Sequence, residues 1–209
     1  MAYLLLVRHG KSAWNATGQW TGWTDVALSE EGVLEARKAG EALIGMEVHV
    51  AHVSDLRRAQ ETLAHIKQAL GKEIATKTHP ALKERHYGIY TGKNKWQVKE
   101  EIGEEEFKRI RRGWDTPIPE GESLKDVYAR VVPYFEEHIL PDVQKGLNTL
   151  VVAHGNSLRA LMKRLEDVSD EAICDVEVGT GEIHCYAFDT EGKITHKEVR
   201  AANERKGAI

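Results

Sequence analysis

Two short apolar runs in this chain break off on an imidazole followed by a glycine. Residues 3–7, Tyr-Leu-Leu-Leu-Val, lead into Arg8-His9-Gly10, and residues 149–153, Thr-Leu-Val-Val-Ala, lead into His154-Gly155-Asn156-Ser157. Unalternated apolar runs of this length read as strands buried on both faces. Strands of that kind belong to parallel sheets covered by helices, and such sheets bind ligands at the carboxyl ends of their strands. The pattern therefore delivers two imidazoles and a guanidinium to the edge where these folds do chemistry. Neutral imidazole is a nucleophile near pH 7, and guanidinium receives phosphate. Together they suggest phosphoryl transfer through a phosphohistidine.

The rest of the chain supports an α/β reading. Further strands are expected at 50–53, 74–78 and 183–188, with helical periodicity between them. In 29–45, Val33, Ala36, Gly40, Leu43 and Ile44 fall on one face, behind a Ser29 cap and Glu30-Glu31 in the first turn. Leu56, Ala59, Leu63, Ile66 and Leu70 stripe 56–70, and Leu124, Val127, Val131, Phe135 and Ile139 stripe 122–140. Strands alternating with helices predict a three-layer α/β/α fold on a mainly parallel sheet, one domain over 1–209. Arg58 opens the helix after 50–53. If the two His-ending strands are parallel neighbours, His9 and His154 face each other across a phosphate-sized gap, with Arg8 and Arg58 around it. The backbone N–H groups after His154 would add an anion-binding helix start.

Composition narrows the function. With a net charge of −4 over 209 residues, a general nucleic-acid or membrane-surface role is disfavoured. No apolar stretch nears the roughly 20 residues of a membrane helix. The first apolar run is too short for a signal peptide and leads into Arg-His, so a cytoplasmic location is expected, with Cys174 and Cys185 as reduced thiols. The Asn15-Ala16-Thr17 glycosylation pattern is then accidental. No His, Cys and carboxylate grouping has metal-ligand spacing; His49 and His52 read as structural or exposed. Trp14, Trp20, Trp23 and Trp96 read as packing for the site walls. Segment 88–121, rich in Lys, Arg, Glu and Gly, reads either as a solvated helix and loop or as a helical insertion that overhangs the strand ends. The tail, 200–209, is polar and expected to be mobile.

Four blocks in order carry a family resemblance: Leu6-Val7-Arg8-His9-Gly10-Lys11-Ser12-Ala13-Trp14-Asn15, Thr21 to Ser29, Glu84-Arg85-His86-Tyr87-Gly88, and Ala153 to Leu161. The chain resembles the histidine phosphatase superfamily, and within it the 2,3-bisphosphoglycerate-dependent phosphoglycerate mutases. The resemblance implies interconversion of 2- and 3-phosphoglycerate in glycolysis and gluconeogenesis, primed by 2,3-bisphosphoglycerate, without a metal. It makes His9 the phosphorylated nucleophile and Glu84 the general acid/base. Arg8, Asn15, Arg58 and His154 match groups that bind the transferred phosphoryl. Thr21, Gly22, Arg85, Tyr87, Lys95, Arg111, Arg112 and Asn156 match contacts to the rest of the substrate, and Gly155 sits in the same block. Alone, Arg111-Arg112 reads as a solvated helix face; its place after Glu84 and Lys95 turns it into a substrate clamp.

Three departures bear on activity. Lys11 stands where the family usually has Glu or Gln. The stretch between Trp114 and Ser123 is short, and so is the tail that in the family tends to cover the site. Water reaching a phosphohistidine gives phosphatase activity, so a phosphatase on the same scaffold is the first rival. A non-catalytic binding protein on this fold is the second. Monomer and dimer both remain open.

Overall fold

The computed structural model describes residues 1–203, so 204–209 of the expected tail lie outside the described residues. Its strands are β1 (Ala2–Arg8), β2 (Val50–Val53), β3 (Ala75–Thr78), β4 (Thr149–Ala153), β5 (Ile183–Phe188) and β6 (Ile194–Arg200), in the sheet order β3-β2-β4-β1-β5-β6. The four strands β3, β2, β4 and β1 are mutually parallel; at the other edge β5 runs antiparallel to β1, and β6 antiparallel to β5. The helices are α1 (Ala13–Ala16), α2 (Glu30–Glu41), α3 (Arg57–Leu70), α4 (Lys95–Ile102), α5 (Glu104–Arg112), α6 (Leu124–Tyr134), α7 (Leu140–Gln144) and α8 (Gly155–Glu166).

The layers follow from β1 itself. Leu4 and Leu6 point into a core with Leu124, Val127 and Val131 of α6 and Leu158 and Leu161 of α8. Leu5 and Val7 point the other way, onto Ala39 of α2 and Ala59, Leu63 and Ile66 of α3. All four β1 side chains are fully buried, each worth about 1.5–3 kcal/mol of burial. A strand so insulated on both faces has one place to put polar chemistry, its carboxyl end.

Several expectations are corrected. Helix α2 stops at Glu41 and the chain turns, which throws Ile44 off the expected stripe and leaves it 65% exposed. The 122–140 stripe is buried as expected, but the backbone widens into a π turn over Phe135–Ile139, between Pro133 and Pro141. Strand β6 was not expected at all: it is an edge strand whose Ile-Thr-His-Lys-Glu-Val-Arg is largely solvent-facing and carries no apolar run.

The loop after β1 is held by backbone contact. A Cβ on Gly10 would sit 2.2 Å from the Gly32 carbonyl oxygen, and one on Gly32 would sit 2.0 Å from the Lys11 carbonyl oxygen. Only a glycine pair lets the start of α2 press this close. The Gly10 N–H donates to Thr62 Oγ1 of α3, and the Lys11 N–H donates to Glu35 Oε2 of α2.

Segment 88–121 forms the α4–α5 pair. Its apolar residues Val98, Phe107, Ile110 and Ile118 make a small separate core with Trp20 and Tyr87. In α5, Glu104 to Glu106 occupy the first turn, and Arg109, Arg111 and Arg112 the last, each complementing the helix dipole. The carbonyls that end α5 are capped by two buried arginines. Arg85 Nη2 donates to the Ile110 and Arg111 carbonyls, and Arg159 Nη2 donates to that of Arg112.

Candidate active site

The parallel register Arg8↔Ala153 puts the next residues of β1 and β4, His9 and His154, side by side. Their ring centroids lie 4.9 Å apart. His9 Nδ1 is 2.6 Å from the Gly10 carbonyl oxygen, which can only accept, so Nδ1 carries the proton and Nε2 keeps its lone pair. Burial, then the charges of Arg58 and Arg8, hold the His9 pKa well below its ordinary value. The ring is therefore neutral at physiological pH, with its Nε2 lone pair available. His154 is held down by burial and by Arg58 too; its Nε2 pairs with Ser54 Oγ at 2.9 Å, and its buried Nδ1 has no partner.

A cavity of about 580 Å³ opens in front of His9. Arg58 reaches it from the start of α3, fully buried, with Nη1 and Nη2 donating to the Thr24 and Gly22 carbonyls. Desolvation pushes its pKa down to about 10. Arg8 donates through Nη1 to the Val178 carbonyl, and burial lowers its pKa as well. The Nε atoms of Arg8 and Arg58 and the Oγ1 of Thr21 are buried without hydrogen-bond partners. Three donors left without acceptors beside a cavity, among cations weakened by desolvation, make a cradle for an anion. Gly155 lies between Arg8 and Glu84: a Cβ there would sit 3.6 Å from the Arg8 guanidinium and 3.7 Å from Glu84 Oε2, in ordinary contact with both.

Glu84 is buried and anchored on one side only. Its Oε1 accepts the N–H groups of Arg85 and Asn156 and the Asn156 side-chain amide, at 2.8, 3.1 and 3.0 Å. That leaves Oε2 for another partner. Asn15, whose amide closes a capping box with Ser12, lies on the wall beside Thr21 and Gly22. Tyr87, Lys95 of α4, Arg111 and Arg112 of α5, and Asn156 of α8 also line the cavity. Burial, then Arg111, pushes the Lys95 ammonium down to about 8. Arg112 is paired with Glu177.

Two expected site residues stand back from this cavity. His154 packs behind His9 rather than on the wall. Arg85 is buried under Tyr87, with its guanidinium 4.7 Å from the ring centre, and serves as a cap on α5. Three residues that sequence reasoning passed over belong to the surroundings: Ser54, which holds His154, Glu177, and Arg159. Arg159 sat unremarked in the helical pattern after His154, although its spacing of three from Asn156 puts both on one helix face. His52, expected to be structural or exposed, is buried in a network of its own with Tyr134 and Asp142, away from the cavity. Among the described residues, no group of three or more His, Cys, Asp or Glu could hold a metal ion, and no helix is long and apolar enough to cross a membrane.

Known proteins share this sequence and fold. The sequence profile of the histidine phosphatase superfamily (branch 1) matches residues 4–199. A 2,3-bisphosphoglycerate-dependent phosphoglycerate mutase from Parvibaculum lavamentivorans is 44% identical, over 96% of this chain and 97% of that protein. One of the same name from Bradyrhizobium diazoefficiens is 46% identical, over 93% and 95%. Among solved structures, Bacillus stearothermophilus YhfR superposes with a TM-score of 0.79 at 25% identity, over 93% of this chain and 95% of that one. A mycobacterial hydrolase shares the fold at a TM-score of 0.80 and 24% identity, over 97% and 100%.

Proposed function

Since the chain belongs to the histidine phosphatase superfamily, we propose that it is a phosphoglycerate mutase, interconverting 2- and 3-phosphoglycerate through a phosphohistidine at His9. One observation carries the reading. The cavity that holds His9, Arg8 and Arg58 also holds a second cationic wall of Lys95, Arg111 and Arg112. A phosphatase needs the first set; a mutase must also hold the remainder of a small polyanion while its phosphate changes oxygen. The buried unpartnered donors fit a priming 2,3-bisphosphoglycerate, which when bound supplies the phosphoryl group that charges His9. The chain's near-full coverage of proteins named as mutases shows a length like theirs, so compactness does not favour the phosphatase.

His9 Nε2 accepts and returns the phosphoryl group. Arg8 and Arg58 stabilise its equatorial oxygens in flight, while His154 backs the His9 ring. Glu84 takes the proton of the substrate hydroxyl as that oxygen attacks phosphorus, and returns it to the ester oxygen that leaves when the neighbouring phosphate goes back to His9. Asn15, Thr21, Gly22, Tyr87, Gly155 and Asn156 shape the pocket. We take 1–209 as one domain with 88–121 as its insertion, acting in the cytoplasm in glycolysis and gluconeogenesis, without a metal.

The test supplies 3-phosphoglycerate with and without 2,3-bisphosphoglycerate, in the presence of a chelator, and follows 2-phosphoglycerate and free phosphate. Isomer formation dependent on the bisphosphate is expected. Free phosphate as the main product would make the protein a phosphatase, and no turnover at all would make it a binding protein.

A pH dependence follows from Lys95. An ammonium lowered to about 8 is charged below that pH and loses its charge above it. The KM for phosphoglycerate should rise as pH climbs from 8 to 9.5, and Lys95→Gln should flatten that rise. A KM that stays level in the wild type over this range would remove Lys95 from the clamp.

A further inference from the structure

We infer that Arg159 is a positioning residue that fixes the Asn156 carboxamide, and through it the Glu84 carboxylate, while tying both to the cationic end of α5. The inference rests on the mutase reading for its kinetic consequences, but the geometry stands without it.

Arg159 is 3% exposed, and its guanidinium meets three acceptors on three segments. Nη1 donates to Asn156 Oδ1 at 2.9 Å; Nη2 donates to the Arg112 carbonyl at 2.8 Å and the Ile173 carbonyl at 2.7 Å. The contact to Asn156 settles which way that amide faces. With Oδ1 taken by the guanidinium, Nδ2 donates to Glu84 Oε1 and to the Tyr87 hydroxyl, each at 3.0 Å. The flipped amide would set its NH2 against a cation and its oxygen against a carboxylate. Through that amide the arginine adds a third donor to Glu84 Oε1, beside the Arg85 and Asn156 N–H groups, and Oε2 is left for proton transfer.

The second anchor couples this to substrate binding. The Arg112 carbonyl ends α5, the helix whose last turn carries Arg111 and Arg112. One planar, rigid fork therefore sets the distance between the proton-transfer group and the clamp. Lysine, with a point charge on a flexible stem, offers no fixed fork for the three acceptors.

The experiment combines Arg159→Met, Arg159→Lys and Glu84→Gln in a double-mutant cycle, with two readouts. The first is kcat alongside the stoichiometry of phosphate on His9 after 2,3-bisphosphoglycerate. Arg159→Met should lower kcat on the order of 10²-fold, as misplacement of a reacting group does, with labelling still near one phosphate per chain. In the Glu84→Gln background the same change should cost less than about threefold, since the group it positions is already disabled. Arg159→Lys should recover only part of the loss. An equal factor in both backgrounds would show a merely structural role and overturn the inference. The second readout is the Asn156 side-chain amide signal by NMR in ligand-free protein. It should be protected from solvent exchange in the wild type and lose that protection in Arg159→Lys, which also serves if the methionine variant fails to fold. Unchanged protection would overturn the inference. A wild type that neither labels nor isomerises, with the amide behaving as expected, would sink the mutase reading and leave the positioning intact.

Discussion

Replacing His9 with alanine is expected to abolish phosphate labelling and lower turnover on the order of 10⁴-fold or more, in keeping with removal of a covalent nucleophile. The tautomer makes the result sharp. Gly10 locks the proton on Nδ1, so His9 Nε2 is a lone pair held ready, and the nearby imidazole does not replace it. His154 has Nε2 engaged by Ser54 and stands behind the cavity wall. Binding should survive the substitution, because Arg8, Arg58, Lys95 and Arg111 all remain. 2,3-Bisphosphoglycerate should therefore still raise Tm in a concentration-dependent way. The lost Nδ1 hydrogen bond costs stability of about 1 kcal/mol. Full labelling of the alanine variant would show that another residue is the nucleophile.

What the sequence reveals, it reveals through strands that end abruptly. Leu4 to Val7 and Thr149 to Ala153 are buried between helices on both faces, so Arg8-His9 and His154 emerge at the strand ends. The pairing Arg8↔Ala153 then brings the imidazoles together. Arg58 was legible for the same reason, since it opens the helix that follows β2. The less legible features act by contacts distant in sequence. Strand β6 is a solvent-facing edge, so its hydrogen bonds to β5, not its side chains, define it. Arg85 beside Glu84 looks like a substrate contact, but its side chain turns inward to cap α5, whose carbonyls lie more than twenty residues further along the chain. Arg159 occupies an ordinary helical position, and only the approach of Arg112 and Ile173 makes it a hub. His52 in mid-strand is satisfied by Tyr134 and Asp142, some eighty and ninety residues away. Local periodicity records burial; it does not record which distant carbonyl a buried cation will find.

Glu84→Gln should separate binding from proton transfer. Glutamine matches the shape of glutamate and keeps an oxygen at the Oε1 position, where the Arg85 N–H, the Asn156 N–H and the Asn156 amide all donate. The other terminal atom becomes an NH2 that cannot exchange a proton with the substrate hydroxyl. Loss of general acid/base catalysis predicts a fall in kcat of about 10²–10⁴-fold. The KM should hold or drop, because the substitution also removes a negative charge that lies close enough to Arg8 and Arg58 to favour their protonated forms. An anionic substrate then meets the same cations with less competition. Glu84→Ala should do worse on both counts, since it strips the anchor from Asn156 as well. Steady-state kinetics on the two variants decides the matter. A kcat for Glu84→Gln within tenfold of wild type would mean that the proton travels by another group, and a KM raised along with an unchanged kcat would make Glu84 a wall of the pocket and no more.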